Sequence, residues 1–135
     1  MARLDLSGLD EFQDWIDSKG EIPETVVGAM LIAEGDVVAD RQKTEAEAML
    51  QGPYYKGAVT AGVKRFPPVM AKSAPYVKVA FQGTQHGESV GTIAFINEYG
   101  KTNQPPRPFV WEANKKCEAE AVAAAAAIFH DFMEE

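Results

Sequence analysis

Apolar residues recur at helical intervals over residues 1–50, alternate with polar ones over much of residues 57–99, and return to helical intervals after residue 108. Ser7 is a natural cap for a first short helix, with Asp10 three residues on and Leu9, Phe12, Trp15 and Ile16 along one side. Gly20 ends it. Pro23 opens a second helix, where Val27, Leu31, Val38 and Arg41 keep helical spacing beside Val26, Met30, Ala33 and Val37. That pattern runs to Leu50, ahead of a Gly52-Pro53 breaker, with Gly35 as a weak point that marks a bend.

The texture then changes. Val59, Ala61 and Val63 alternate between Gly57 and Phe66, which predicts a strand. Pro67-Pro68 interrupts it, and residues 69–75 read as an irregular connection. Val77, Val79 and Phe81 alternate across Tyr76–Phe81, Gly83–Gly91 reads as a turn, and Thr92–Tyr99 reads as the return strand. Short loops between consecutive strands predict direct antiparallel pairing.

Gly100 stops that run, a polar loop leads to Pro105-Pro106-Arg107-Pro108, and Pro108 is placed to open a long helix reaching about Met133. Its predicted stripe is Val110, Ala113, Cys117, Ala121, Ala124, Ile128 and Phe132, and Ala123–Ala127 is a run of small side chains. A small-residue surface formed by Ala121, Ala124, Ala125 and Ile128 is a candidate for close packing against another subunit. The fold class expected is α+β: two N-terminal helices, a small antiparallel β-meander of about three to four strands, and a long C-terminal helix packed on the sheet. One domain is expected over residues 1–135, helical over 1–52, strand-rich over 53–100, with the proline corner and long helix over 101–135.

Composition changes this picture little. Hydrophobic residues make up 46% and charged residues 24% of the 135, as in ordinary globular domains. No apolar run approaches the roughly 18 residues of a membrane-spanning helix, and residues 1–20 lack the pattern of a secretory signal. Cys117 is the one cysteine, which excludes an intrachain disulfide and fits a reducing compartment. Charge is more informative. Residues 1–50 carry 12 acids and 4 bases, residues 51–116 carry 3 and 9, and residues 117–135 carry 5 acids and no base. Acidic helices flanking a mildly basic sheet explain this with solvated charges alone; the alternative is that the unlike segments meet between copies. The overall charge of −7 argues against strong nucleic-acid binding.

Candidate chemistry is sparse. His86 and His130 have no partners at metal-ligand spacing, and Cys117 lies on the apolar stripe as an inert core thiol, so no metal and no catalytic residue is expected. The glycine-rich stretch 83–91 is flanked by strand patterns and not by a helix start, so it reads as a hairpin tip and not a phosphate cradle. Glu98 and Arg107 flank the corner. They either pair to brace it, or one reaches a neighbouring subunit, or Glu98 serves as an acid or base. Either Phe109 or Trp111 is expected to plug the core below the corner.

Asn97-Glu98-Tyr99-Gly100, followed by Pro105-Pro106-Arg107-Pro108-Phe109 and an alanine-rich helix, resembles the head–tail joining family of tailed phages, the tail-completion, gene-product-ten-like group of siphophages and prophages. The likeness is specific over about residues 90–112 and architectural elsewhere. Of the family's T-G-x-L element only Gly57 carries over, the place reading Lys56-Gly57-Ala58-Val59. The resemblance implies a non-enzymatic virion protein made in the bacterial host cytoplasm, without cofactor, that joins the filled head to the tail in the neck. It implies self-association into a ring, hexamer or dodecamer, between the head connector or adaptor and the tail tube or terminator. DNA would pass nearby without sequence-specific binding, and no membrane is involved. Glu98, Tyr99, Gly100, Arg107, Pro108 and Phe109 take from it a structural role in the corner or at a subunit interface. A tail terminator or minor tail protein of similar fold is the alternative; a small enzyme around Glu98, Arg107 and His86, or a ligand-binding module, is a rival from another class.

Overall fold

The computed structural model describes residues 22–50, 57–72 and 74–134. The expected first helix, Ser7–Gly20, and the Gly52-Pro53 breaker lie outside them. Helix α1 spans Glu24–Met49 and begins at Pro23, whose carbonyl accepts from the N–H groups of Val26 at 3.0 Å and Val27 at 3.1 Å. It runs unbroken past Gly35. That glycine serves a close approach, because a Cβ there would meet the Arg65 stem at 3.0 Å. The Arg65 guanidinium then reaches Asp36 on the same helix.

The strand expected over 57–66 divides in two. Gly57, at φ 77°, turns the chain into a short helix α2, Ala58–Gly62, before strand β1, Val63–Arg65. Alternation over five residues cannot separate one helical turn from a strand, and burial of Val59 and Gly62 settles it in favour of the turn. Strand β2, Val79–Phe81, pairs antiparallel with β1, with Val63 opposite Phe81 and Arg65 opposite Val79. The irregular connection between them is as expected, pinched by a bridge between Val69 and Tyr76. Strands β3, Thr84–Gln85, and β4, Glu88–Ser89, form a separate hairpin. Its turn residues His86 and Gly87 have φ of 52° and 82°, the positive values that a tight two-residue hairpin requires.

The return strand expected at Thr92–Tyr99 is instead helix α3, Val90–Tyr99. The Ser89 hydroxyl caps it by accepting from Thr92 N–H at 3.1 Å, and the Gly100 N–H closes it on the Ile96 carbonyl at 2.7 Å. Val90 and Ala94 share its buried side, with Ile93 packed on the core, a spacing of three and four that suits a helix. The β-branched residues suggested a strand, but caps at both ends decided otherwise. The chain is therefore α+β as expected, with its strands in two small antiparallel sheets.

The last helix, α4, spans Phe109–Glu134. Pro108 precedes it as the residue whose carbonyl takes the first helical bond, from Glu112 N–H at 3.0 Å. It packs chiefly along α1 and only slightly on the sheet. The two run antiparallel, as the cross-links Gln42–Asn114 at 3.1 Å, Glu45–Lys116 at 3.0 Å and Arg41–Glu120 at 3.7 Å show. The closest-packed core lies at one end of this pair. Phe109, Ala46, Leu50, Val59, Val90 and Ala94 are buried there, and Phe81 meets the Phe109 ring edge-on at 5.8 Å between centroids.

Candidate interaction site at the helix-to-helix corner

The corner joins α3 to α4, and four backbone devices hold it. Gly100 has φ 80° and ψ 178°, a region open essentially to glycine alone. Lys101 and Gln104 exchange backbone hydrogen bonds across the tip at 2.9 and 3.0 Å. The Arg107 N–H donates to the Asn97 carbonyl at 2.6 Å, and the Asn97 side chain accepts from Gln104 at 3.0 Å. Three prolines restrict the chain between these bonds.

Glu98 completes the corner in a way its sequence position did not disclose. Its Oε2 accepts from Val110 N–H at 3.0 Å and its Oε1 from Trp111 N–H at 2.9 Å. The carboxylate therefore satisfies two of the unpaired N–H groups that open α4 and places negative charge at the positive end of the helix dipole. Of the alternatives for these two residues, the Glu98–Arg107 pair does not form, because both carboxylate oxygens face the helix start; among the described residues Arg107 joins no ion pair. Glu98→Ala is expected to cost about 2 kcal/mol from the lost cap and dipole contact. Chemical denaturation measures this, and Glu98→Gln, which keeps one acceptor oxygen, should fall between. A variant as stable as the parent would remove the capping role.

The remaining site residues separate cleanly. Phe109 is fully buried and is the plug; Trp111 is not, at 57% exposed. Tyr99 is 68% exposed and its ring lies 4.8 Å from that of Phe95, itself 63% exposed. Lys115 sits over the Trp111 ring at 4.7 Å. Phe95, Tyr99 and Trp111 border one open hollow of about 420 Å³ whose floor includes Ala94, Val110 and Phe81. Phe95 escaped the sequence reading because a strand at 92–99 gave no reason to group it with Trp111; helical spacing of Phe95 and Tyr99 was the available signal. On α4, Ala121 and Ala125 are buried within the chain and so are not a free packing surface, whereas Ala124 and Ile128 are half-buried. The stripe follows Ala125, Phe129 and Met133 where Ala124, Ile128 and Phe132 were expected.

Cys117 is buried, and burial pushes its thiol pKa up, which opposes the nucleophilic thiolate. His86 tips the exposed hairpin turn. Among the described residues no group of three or more His, Cys, Asp or Glu is placed to hold a metal ion, and no helix is long and apolar enough to cross a membrane. The arrangement suits contact with another macromolecule: three aromatic rings on a braced corner, beside Glu98, which lines the same hollow with both carboxylate oxygens held at the α4 start. Comparison with protein-family models, with characterised proteins and with solved structures finds no match to this chain.

Proposed function

We propose that this chain is a structural virion protein of a tailed phage or prophage, joining the DNA-filled head to the tail as a ring of identical subunits in the neck. The observation that carries the reading is the corner itself. The segment that resembles the head–tail joining family is also a stretch braced by its own hydrogen bonds, where three large aromatic side chains stand open to solvent. A monomeric surface rarely gathers such rings without a partner. Both Glu98 oxygens are engaged in capping, so the residue on which an enzyme would rest is occupied structurally. Lys64 and Lys78, exposed on the β1–β2 hairpin over the Phe66 ring, supply a basic surface suited to the side of a DNA path. The tail terminator or minor tail reading shares these features and differs in its neighbours.

Light scattering coupled to size-exclusion chromatography tests the proposal. The protein is expected to form a ring-sized species at raised concentration or when offered the head connector, and Trp111→Ala should abolish it while leaving the circular dichroism unchanged, since Trp111 is exposed. If unlike-charged segments meet between subunits, salt should shrink the oligomer by screening exposed pairs. A protein that stays monomeric and binds neither connector nor tail proteins would overturn the proposal.

A further inference from the structure

Trp111 and Val122, 57% and 54% exposed, stand at the two ends of one side of α4, and the exposed Lys115 and Glu118 lie between them. A helix turns about 100° per residue, so these positions, at steps of four, three and four, fall within about 60° of one another round the axis. They form one straight stripe about 16 Å long. Farther along the same side Phe129 is 7% exposed and belongs to the chain's own interior, so the open stripe stops after Val122. All four residues line an open groove of about 640 Å³ whose other wall is Glu34 and Val38 of α1. Trp111 and Asn114 border both this groove and the aromatic hollow.

The stripe is apolar at both ends and oppositely charged in the middle. Among the described residues neither Lys115 nor Glu118 joins an ion pair, and the Lys115 ammonium lies over the Trp111 ring. Charge on α4 changes sign here, since Lys115 and Lys116 precede Cys117 and Glu118 and Glu120 follow it.

A stripe in this order complements an inverted copy of itself. A two-fold axis crossing α4 between the levels of Lys116 and Cys117 sets Trp111 opposite Val122 of the second copy and Lys115 opposite its Glu118, and repeats both pairs. Each large ring then meets a small apolar side chain, and each charge meets its opposite. A parallel alignment in the same register would set Lys115 against Lys115 and Glu118 against Glu118, which repel.

We propose that two copies of this chain pair through this stripe, α4 against α4, in an antiparallel two-fold contact anchored by Trp111 of each. Such a contact is isologous and closes at two subunits, so it goes beyond the neck-ring reading and does not rest on it.

Charge reversal in the full-length protein tests this, by sedimentation velocity over a concentration series. The parent should reach a dimer. Lys115→Glu sets a glutamate against Glu118 at both ends of the contact and should raise the dimer dissociation constant roughly tenfold or more, as should Glu118→Lys. The double variant Lys115→Glu/Glu118→Lys restores two unlike pairs and should regain most of the lost affinity. Val122→Asp, which leaves both original charges in place, should also disperse the dimer. These side chains are exposed, so circular dichroism should not change. A parent that stays monomeric, single reversals without effect, or a double variant as weak as the singles would overturn the proposal. Ring-sized species untouched by these changes would overturn the pair and leave the ring reading standing. A dimer that obeys the charge swap yet binds neither connector nor tail proteins would bear out the pair and remove that reading.

Discussion

Phe109→Ala is expected to destabilise the domain by about 3–5 kcal/mol, the usual cost of removing a buried aromatic ring and leaving its cavity. Phe109 has no exposed surface; it shares one buried cluster with Ala46 and Leu50 at the end of α1 and meets the β1–β2 sheet through Phe81. It is also the first residue of α4, so its loss loosens the helix start that Glu98 caps. Against a typical domain stability of about 5–15 kcal/mol this is a large fraction. Urea denaturation followed by circular dichroism should show a lower midpoint with little change in slope. A loss below about 1 kcal/mol would mean that the core does not hinge on this ring.

Gly100→Ala is expected to cost about 3 kcal/mol, from backbone strain in a glycine-only region together with steric contact. A Cβ there would lie 2.8 Å from the Gln104 carbonyl oxygen and 2.9 Å from the Pro106 nitrogen. Both are backbone atoms of a segment already restrained by prolines and by the Lys101–Gln104 bonds, so relief requires moving the corner as a whole. Moving it should shift Tyr99 relative to Trp111 and so alter the aromatic hollow. The variant should therefore lose stability and assembly together, in contrast to Trp111→Ala, which should lose assembly alone. Thermal melting alongside the ring assay checks the pair. Wild-type stability in Gly100→Ala would show that the loop relaxes at little cost.

Much of the fold was legible in the chain. Pro23 and Leu50 bound α1 as their chemistry suggests, Gly83–Gly91 holds the β3–β4 hairpin, and Pro108 adjoins the α4 start. The plainest misreading was α3. Thr92, Ile93 and Ile96 favour strands locally, and nothing within Thr92–Tyr99 announces that Ser89 will cap it or that Gly100 will close it. The predicted stripes also missed the fully buried positions of α1, where Gly28, Gly35 and Ala39 are covered in place of Val27, Leu31 and Val38. Small residues are buried where backbones come closest, and a pattern that counts only bulky side chains looks elsewhere.

The sequence by itself determined the mixed class, the two long helices, the hairpin turn and the corner, because periodicity, proline and glycine act within a few residues of one another. Tertiary structure alone decided that Glu98 caps α4 and does not pair with Arg107, that Phe109 and not Trp111 plugs the core, and that Phe95, Tyr99 and Trp111 share one exposed hollow. The helix-start N–H groups and the two ends of the corner meet only once the prolines have brought α4 back across α3, and no spacing along the chain records that meeting.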